Sequence, residues 1–252
     1  MNHATDTAHR TRSPIVTLGG AFMTSEEMAV QEADLGLPER SLYFRGRSAA
    51  LGDPPAHVVT ALFGIFPDWL IELMIGKTTP AVSAADAIDA YTRACAAWGR
   101  RVFADVPSTA HAATLLCRIV DAADVSTLPL VSGWRIRTRP ADAPARLAHA
   151  LMLVRELRGG LHFAALRACG LGISEAVVAD PDGGRGRLLR TGWRADDADA
   201  LIIRAQARRD LVERRQRAEQ LTNESFGQAL EVLTDADRDQ LVELLASLPG
   251  SD

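Results

Sequence analysis

The sequence predicts an all-α fold built as a helical bundle. Apolar residues recur at the three- and four-residue spacing of helices, and no stretch sustains the alternation of a half-buried β-strand. Serine or threonine followed by acidic residues, a typical N-cap pattern, precedes several apolar segments. With 252 residues, 47% of them hydrophobic, the chain can bury a substantial core in one large domain or two modest ones.

Three regions are predicted along the chain. Residues 1–13 are polar and predict a disordered tail. Residues 14–140 predict an N-terminal helical bundle that ends in a loop containing proline and glycine. Residues 141–252 predict a helix-turn-helix-like region with C-terminal helices, for the reasons given below.

Capping residues and prolines place the helices of the N-terminal bundle. Ser25 and Ser83 precede acidic residues in N-cap patterns, and Ser108 precedes another apolar segment. Residues 58–75 are apolar on nearly all sides, which predicts a central helix that is kinked or restarted at Pro67. The same stretch carries too many polar residues to be interpreted as a membrane span.

The second region begins with a helix from Pro144 that is predicted to end at the glycine pair 159–160. Two short helices, over 161–169 and 174–179, are predicted to follow. Their separation by the glycine-containing turn at 170–172 gives them the proportions of a helix-turn-helix. Two packed helices with no role in DNA binding are the alternative interpretation.

The rest of the second region divides by charge. A long polar helix is predicted over 193–221, and Thr234 caps a last helix. Residues 185–217 carry ten arginines against five acids, a net +5, whereas residues 218–252 carry eight acids against Arg238 alone, a net −7. The basic band could contact DNA phosphates. A solvated helix face that pairs with the acidic C-terminal residues explains the pattern equally well.

Composition excludes several classes of protein. The formal net charge of −4 gives no whole-protein argument for nucleic acid. Three cysteines, odd in number and far apart, are typical of reduced thiols, and the N-terminal residues lack the apolar stretch of a secretion signal. We therefore predict a cytoplasmic protein. Lys77 is the only lysine among 28 basic residues, which we interpret as codon bias in a GC-rich genome.

Two segments are candidates for a site. In residues 155–162, Glu156, Arg158 and His162 lie close together, and a histidine held by a carboxylate can act as an acid–base group or as a ligand. The alternative is that the histidine caps or packs at a helix junction, with Arg158 and Glu156 as a structural ion pair.

The other candidate segment contains Arg45 and Arg47. An arginine among aromatic rings could bind a carboxylate, a phosphate or a ring face. Alternatively, it pairs with Asp53 or Glu156. The aromatic residues of this segment and of the following apolar helix are Tyr43, Phe44, Phe63 and Phe66.

Other templates fail. The chain contains no Cys-x-x-Cys and no His-Glu-x-x-His pattern, so no metal site is predicted. The glycine-rich turn at 183–186 follows no strand and lacks the residues of a phosphate loop. No Gly-x-Ser-x-Gly elbow is present either.

Taken together and in order, these segments resemble an actinobacterial family of largely uncharacterised conserved proteins with a helix-turn-helix or winged-helix-like region. The resemblance covers roughly residues 15–248. The segments that carry it are residues 43–52, the apolar helix with Phe63 and Phe66, residues 155–162, and Gly192-Trp193. The positions that match the family pattern are Arg47, Glu156, Arg158, Gly159 and His162.

The resemblance implies an N-terminal bundle joined to a winged-helix-like region, a C-terminal helix suited to dimerisation, and genes that lie beside metabolic and natural-product genes. Members usually carry an Arg-Gly-Leu turn and a wing hairpin after the Gly-Trp segment. Residues 200–221 instead contain no glycine. The winged helix is therefore predicted to be degenerate, which weighs against DNA binding through a wing.

The leading hypothesis is a cytoplasmic, ligand-binding, homodimeric helix-turn-helix protein, a transcriptional regulator linked to small-molecule metabolism. Arg47 is expected to bind an anionic group of the ligand, His162 to share a hydrogen bond with it, and Glu156 or Arg158 to orient it. The predicted ligand-binding residues are Tyr43, Phe44, Arg47, Phe63, Phe66, Arg158 and His162.

Two alternatives stay open. One is an enzyme of natural-product or small-molecule metabolism that uses the same pocket, with His162 as acid–base group or as metal or haem ligand, and Glu156 as the second catalytic candidate. The other is a dimeric interaction protein without a ligand. For that protein we expect a pocket filled by apolar side chains.

Overall fold

The computed structural model describes residues 2–251, and all regular secondary structure in this part of the chain is helical. The predicted all-α bundle is confirmed. The α-helices in chain order are α1 His3–Arg10, α2 Arg12–Ala21, α3 Glu26–Asp34, α4 Ser41–Ala49, α5 Ala56–Phe63, α6 Asp68–Thr78, α7 Ala84–Phe103, α8 Thr109–Ala122, α9 Pro129–Arg135, α10 Ala143–Ala168, α11 Ile173–Ala179, α12 Gly184–Arg190, α13 Ala195–Gln206, α14 Leu211–Leu230 and α15 Asp235–Ala246.

Helix α10 lies at the centre of the bundle. Its 26 residues span about 39 Å at the usual rise of a helix, and it packs against α2, α7, α8 and α14. It begins at Asp142, whose side chain accepts a hydrogen bond from the amide of Ala145. The first half of α10 is buried almost throughout, because it has neighbours on every side.

The prediction that this helix ends at the glycine pair 159–160 is wrong. Gly160 instead permits close packing, since a Cβ there would lie 2.6 Å from Cδ2 of Leu128. A glycine inside a helix lowers the stability of the helix by only about 1 kcal/mol relative to alanine, and tertiary packing can outweigh that loss. Residues 155–162 therefore form one continuous helical segment and not a turn.

Helix α4 is held in place by side chains from elsewhere in the chain. Its N-cap residue, Arg40, has a left-handed backbone (φ 63°) and caps nothing with its side chain. The buried carboxylate of Glu32 accepts hydrogen bonds from the amides of Arg40 and Leu42, each at 2.9 Å. Nε1 of Trp134 donates to the carbonyl of Arg47 at 3.0 Å. These contacts fix both ends of the helix that carries Arg47.

The predicted disordered tail is wrong for the described residues of 1–13. Helix α1 begins at an N-cap, Asn2, whose side chain accepts from the amide of Thr5 at 2.7 Å. Ala4 and Ala8 are buried, and α1 packs along α14. The polar composition of the segment concealed residues small enough for close packing against Gly227. Met1 lies outside the described residues.

Helices α11, α12 and α13 pack on one another, and we call them the three-helix unit. Helices α10 and α11 meet at 90° across a short turn, which is helix-turn-helix geometry, so the predicted pair exists with the end of α10 as its first helix. In residues 2–251 no single helix has the length and apolar composition to cross a membrane. Only α10 and α11, as this bent pair, meet such criteria.

The long polar helix predicted over 193–221 is broken in the structure. Helix α13 ends at Gln206 and α14 begins at Leu211. The break lets Arg208 and Arg214 reach the carbonyl oxygens of Gly170 and Cys169, at 3.1 and 2.9 Å, at the end of α10. These bonds satisfy carbonyl groups that a helix end leaves without partners.

The last helix is used inside the chain. Thr234 caps α15 through a hydrogen bond from the amide of Asp237, as predicted. Leu241, Leu245 and Leu248 are buried in the main core, where α15 packs against α1, α2 and α8. The apolar face of α15 is therefore covered by its own chain, and homodimerisation stays a prediction. Because this core draws residues from both sides of position 140, we propose to divide the chain at the three-helix unit instead.

Candidate functional site

A cleft of about 820 Å³ lies between the N-terminal helices and the three-helix unit. Its volume falls in the usual range of small-molecule sites, about 300–1,000 Å³. Six of the predicted ligand-binding residues line it: Tyr43, Arg47, Phe63, Phe66, Arg158 and His162. The seventh, Phe44, is buried behind them. The structure thus brings these residues together, whereas their contact with a ligand stays a prediction.

One side of the cleft is an aromatic wall formed by Tyr43, Phe63 and Phe66. The ring centroid of Tyr43 lies 5.8 Å from that of Phe63 and 5.6 Å from that of Phe66, and both pairs are edge-to-face. Phe44 supports the wall from behind, 5.0 Å from Phe66. Such a surface offers ring faces and edges to an apolar ligand.

Arg47 is fully engaged within the protein. Its Nε and Nη2 donate to the two carboxylate oxygens of Glu156 at 2.8 and 2.7 Å, and its Nη1 donates to the hydroxyl of Tyr43 at 3.0 Å. Its guanidinium also lies 4.3 Å from the ring centroid of Phe63. Burial alone would raise the pKa of Glu156, but the charge of Arg47 holds it below its ordinary value.

The pairing alternative for both arginines of this segment is confirmed. Arg47 pairs with Glu156, and Arg45 pairs with Asp53 at 2.6 Å. Neither Arg47 nor Glu156 keeps a free charge for a ligand or a proton transfer. This pairing weighs against the expectation that Arg47 binds the anion of a ligand and that Glu156 acts as a catalytic group, and both roles stay predictions.

A second cluster of charged groups, partly exposed, surrounds Glu219 of α14. Arg12 and Arg158 approach its carboxylate to 3.5 and 3.7 Å, and Nδ1 of His162 lies 3.7 Å away. None of these is within normal hydrogen-bond distance. The cluster is therefore looser than the pair formed by Arg47.

The hydrogen bonds of His162 determine its tautomer. The hydroxyl of Thr222 donates its single hydrogen to the carbonyl of Ala218 at 2.7 Å, so it must accept from Nδ1 of His162, 3.0 Å away. Burial, and the nearby arginines, lower the pKa of His162 to about 4 despite Glu219. The ring is therefore neutral at pH 7, and Nε2 presents a lone pair.

The cleft carries more cations than anions. Seven arginines line it against three carboxylates, Glu156, Asp180 and Glu219. Each carboxylate is shared by two arginines: Glu156 by Arg47 and Arg155, Asp180 by Arg187 and Arg215, and Glu219 by Arg12 and Arg158. Each of the three places therefore keeps a surplus positive charge.

Sequence reasoning missed Arg12, Glu219, Thr222 and Asn223. They lie on α2 and α14, far in sequence from residues 155–162, and they have no motif spacing of their own. Only the packing of α10 against both helices brings Arg12 and Glu219 to the cleft, and it places Thr222 and Asn223 within hydrogen-bond distance of His162 and Arg158. Among residues 2–251, no group of three or more His, Cys, Asp or Glu side chains is placed to hold a metal ion.

The residues of the cleft and of the three-helix unit lie within the part of the chain that a known family model matches. A family model described as "Helix-turn-helix family" matches residues 8–250. The chain belongs to the helix-turn-helix family. No curated protein and no solved structure matches it. Family membership agrees with the 90° arrangement of α10 and α11.

In this helix-turn-helix family protein part of the basic band is engaged in salt bridges. Six of its ten arginines form salt bridges, mostly with nearby acids and in one case, Arg217 with Glu224 at 3.9 Å, with the acidic C-terminal residues. Within the described part of the chain, four form none: Arg190, Arg194, Arg204 and Arg209. The predicted pairing with the acidic C-terminal residues therefore accounts for only a small share of the band.

Proposed function

We propose that this helix-turn-helix family protein is a ligand-responsive, regulator-type protein of the cytoplasm that binds a small metabolite in the cleft. The observation that carries the proposal is that the N-terminal bundle and the three-helix unit both contribute residues to the lining of the cleft. Residues of α11 and α12 line the same cleft as the aromatic wall and His162. A molecule in the cleft would therefore touch the N-terminal bundle and the three-helix unit at once.

The contacts beside the cleft support a coupling between ligand and helix position. Nε1 of Trp193 donates to the carbonyl of Ile65 at 2.8 Å, and Ile65 packs against the core of the three-helix unit. A Cβ at Gly64 would lie 2.3 Å from Cδ1 of Ile173, so the two parts approach closely there. Residues 64–66 therefore belong both to the cleft and to the surface of the N-terminal bundle on which the three-helix unit packs. We call that surface the docking surface of the three-helix unit. A ligand that shifts Phe66 would bias the three-helix unit.

The charges at the start of α13 decide how DNA can be contacted. In a helix-turn-helix the second helix presents its N-terminal residues to base edges. Here that helix, α11, lines the cleft and buries Ala176 and Val177, so α13 is the next helix that could meet DNA. In α13 these positions include Asp196 and Asp197, which are exposed and form no salt bridge in the described residues. Carboxylates there would repel phosphates. We propose that contact with DNA, which the family supports, uses the four unpaired arginines rather than the start of α13.

Two experiments test this function. Native mass spectrometry of the purified chain reports retained metabolites and the predicted homodimer together. Hydrogen exchange, measured with a retained metabolite and after its removal by dialysis under mild denaturation, is expected to show stronger protection of residues 173–206 in the loaded protein. Equal protection in both states would contradict the coupling.

Selection of binding sites from a random DNA pool at low salt tests the regulator. Specific sites whose affinity falls steeply with salt would support it, and Arg204→Gln with Arg209→Gln should lower the slope by roughly two charges. An absence of binding at low salt would contradict it. In that case the ligand site would serve another role.

An enzyme is the second candidate, because His162 is neutral and presents a free Nε2 to a cavity that admits a small molecule. In that role it would accept a proton from a bound substrate. Its test is turnover of a retained metabolite that is lost in His162→Gln, together with the absorption spectrum of the purified protein for a metal or haem. We do not propose a ligand-free interaction protein, since the cleft is open and lined by both Arg47 and His162.

A further inference from the structure

Arg158 is a buried cation with few hydrogen-bond partners. Only 3% of the residue is exposed, yet its one hydrogen bond runs from Nη2 to Oδ1 of Asn223 at 2.8 Å, and its Nε has no partner. A guanidinium carries five N–H donors. The carboxylate oxygen of Glu219 that lies 3.7 Å away is itself without a hydrogen bond. Burial lowers the pKa of Arg158 to about 10.

Such an arrangement leaves hydrogen-bond donors unused that an anion could occupy. A buried charge that lacks acceptors is costly, and an incoming anion can supply them. Two of the surplus positive charges of the cleft meet at neighbouring residues of α10. One is at Glu156, which Arg47 and Arg155 share, and the other is at Arg158, which shares Glu219 with Arg12. Two adjacent surplus charges match a doubly negative group.

The remainder of the cleft selects the rest of the ligand. The aromatic wall borders this cationic end and offers three rings to an apolar body. The free Nε2 of His162 can accept one hydrogen bond. A compound that satisfies all three features has an aromatic body, a dianionic head and a hydroxyl or protonated oxygen near the head.

We propose that the cleft binds an aromatic compound with a doubly negative head group, a phosphate monoester or a dicarboxylate. This inference rests on the proposed ligand-binding function and adds the chemical class. Arg158 and Arg12 hold the head, Arg155 adds a further charge, and the aromatic wall packs against the body.

Calorimetric titration of the full chain, at low salt and about pH 7.5 where a phosphate monoester is mostly doubly charged, tests the class. The probes are 1-naphthyl phosphate, 2,3-naphthalenedicarboxylate, 1-naphthoate, 1-naphthol and inorganic phosphate. One of the first two is expected to bind at least about tenfold more tightly than 1-naphthoate, and the better of them identifies the head.

Arginine substitutions test where the dianionic head group binds. Arg158→Gln is expected to weaken the better dianion by about tenfold or more, which is the usual loss for a charged hydrogen bond. Arg93→Gln is the matched control, because Arg93 of α7 is exposed, forms no salt bridge in the described residues and lies outside the cleft lining. Thermal melting checks that each variant folds. If Arg158→Gln does not fold, the half-exposed Arg12→Gln decides instead, with a smaller expected loss.

Several results would overturn the class. If 1-naphthol or 1-naphthoate binds as tightly as the dianions, the ligand does not need a doubly negative head group. If inorganic phosphate binds as tightly as 1-naphthyl phosphate, the ligand does not need an aromatic body. Unchanged affinity in both Arg158→Gln and Arg12→Gln would place the head elsewhere. If 1-naphthol binds and protects residues 173–206 from exchange, the proposed function stands without this class. If no probe binds and no metabolite is retained, both fail.

Discussion

Arg47 and Arg158 are two buried arginines that line the same cleft and differ in what surrounds their charge. Arg47 makes three hydrogen bonds, two of them to one carboxylate, and lies against an aromatic ring. Arg158 makes one hydrogen bond and shares a more distant carboxylate with Arg12. Burial and residue type are thus the same in both. On our proposal, the number of partners separates an arginine that holds the fold from one that can bind a ligand.

The largest effect is expected for loss of the Arg47 pair. Arg47→Met should lower the free energy of unfolding by about 3–5 kcal/mol, because it leaves the buried carboxylate of Glu156 without its partner. Urea denaturation measures the loss. The double variant Arg47→Met with Glu156→Leu should recover most of it, since no buried charge is then left unpaired. A loss below about 1 kcal/mol in the single variant would refute a structural role for the pair.

Acidification is expected to have the next largest effect. Burial lowers the pKa values of His162 and His149 to about 4 in the folded protein, against an ordinary value of 6.5. The unfolded chain therefore binds more protons below pH 6.5, so stability is complete above that pH and falls as the pH decreases towards 4. Each histidine contributes on the order of 3 kcal/mol to this loss.

The variants His149→Leu and His162→Gln should each flatten the dependence of unfolding free energy on pH in that window. Chemical denaturation at a series of pH values measures it. An unchanged slope in both buried-histidine variants would contradict the assignment.

A smaller effect is expected at the docking surface of the three-helix unit. Trp193→Phe removes the hydrogen bond to the carbonyl of Ile65 while keeping an aromatic ring, and should cost about 1 kcal/mol. Hydrogen exchange should quicken in residues 173–206 and stay unchanged in α7. Uniform quickening along the whole chain would mean that the unit does not open independently.

The smallest effect on stability is expected at Arg158. Arg158→Met should change the free energy of unfolding by less than about 1 kcal/mol, because the lost hydrogen bond is offset by removal of a poorly satisfied buried charge. Urea denaturation beside Arg47→Met makes the comparison direct. Losses of similar size in the two variants would remove the distinction between the two arginines.

Local patterns predicted most of the fold, since N-caps at Ser25, Ser83 and Thr234 form as expected. The errors arise where packing overrides local preference. Close contact at Gly160 carries α10 through a glycine pair, and small residues bury a polar N-terminal helix. Neither contact can be inferred from spacing along the chain.

The candidate site was predicted in part for the same reason. Local composition was enough to identify the aromatic residues and the 155–162 segment as candidates. The structure places them at one cleft. The number of hydrogen-bond partners of each arginine depends on α2 and α14, because Arg12, Glu219 and Asn223 approach Arg158 only through packing around α10. Sequence reasoning therefore chose Arg47 for the anion, whereas the contacts favour Arg158.

Thermal melting of wild type, Arg47→Met and Arg158→Met, each with increasing 1-naphthyl phosphate, tests the central claim most directly. A ligand that binds only the folded state raises the melting temperature with concentration. The expected result is that wild type rises, that Arg158→Met melts close to wild type without the probe and does not rise with it, and that Arg47→Met melts far lower. If Arg158→Met melts as low as Arg47→Met and still rises with the probe, Arg158 holds the fold and does not bind the anion.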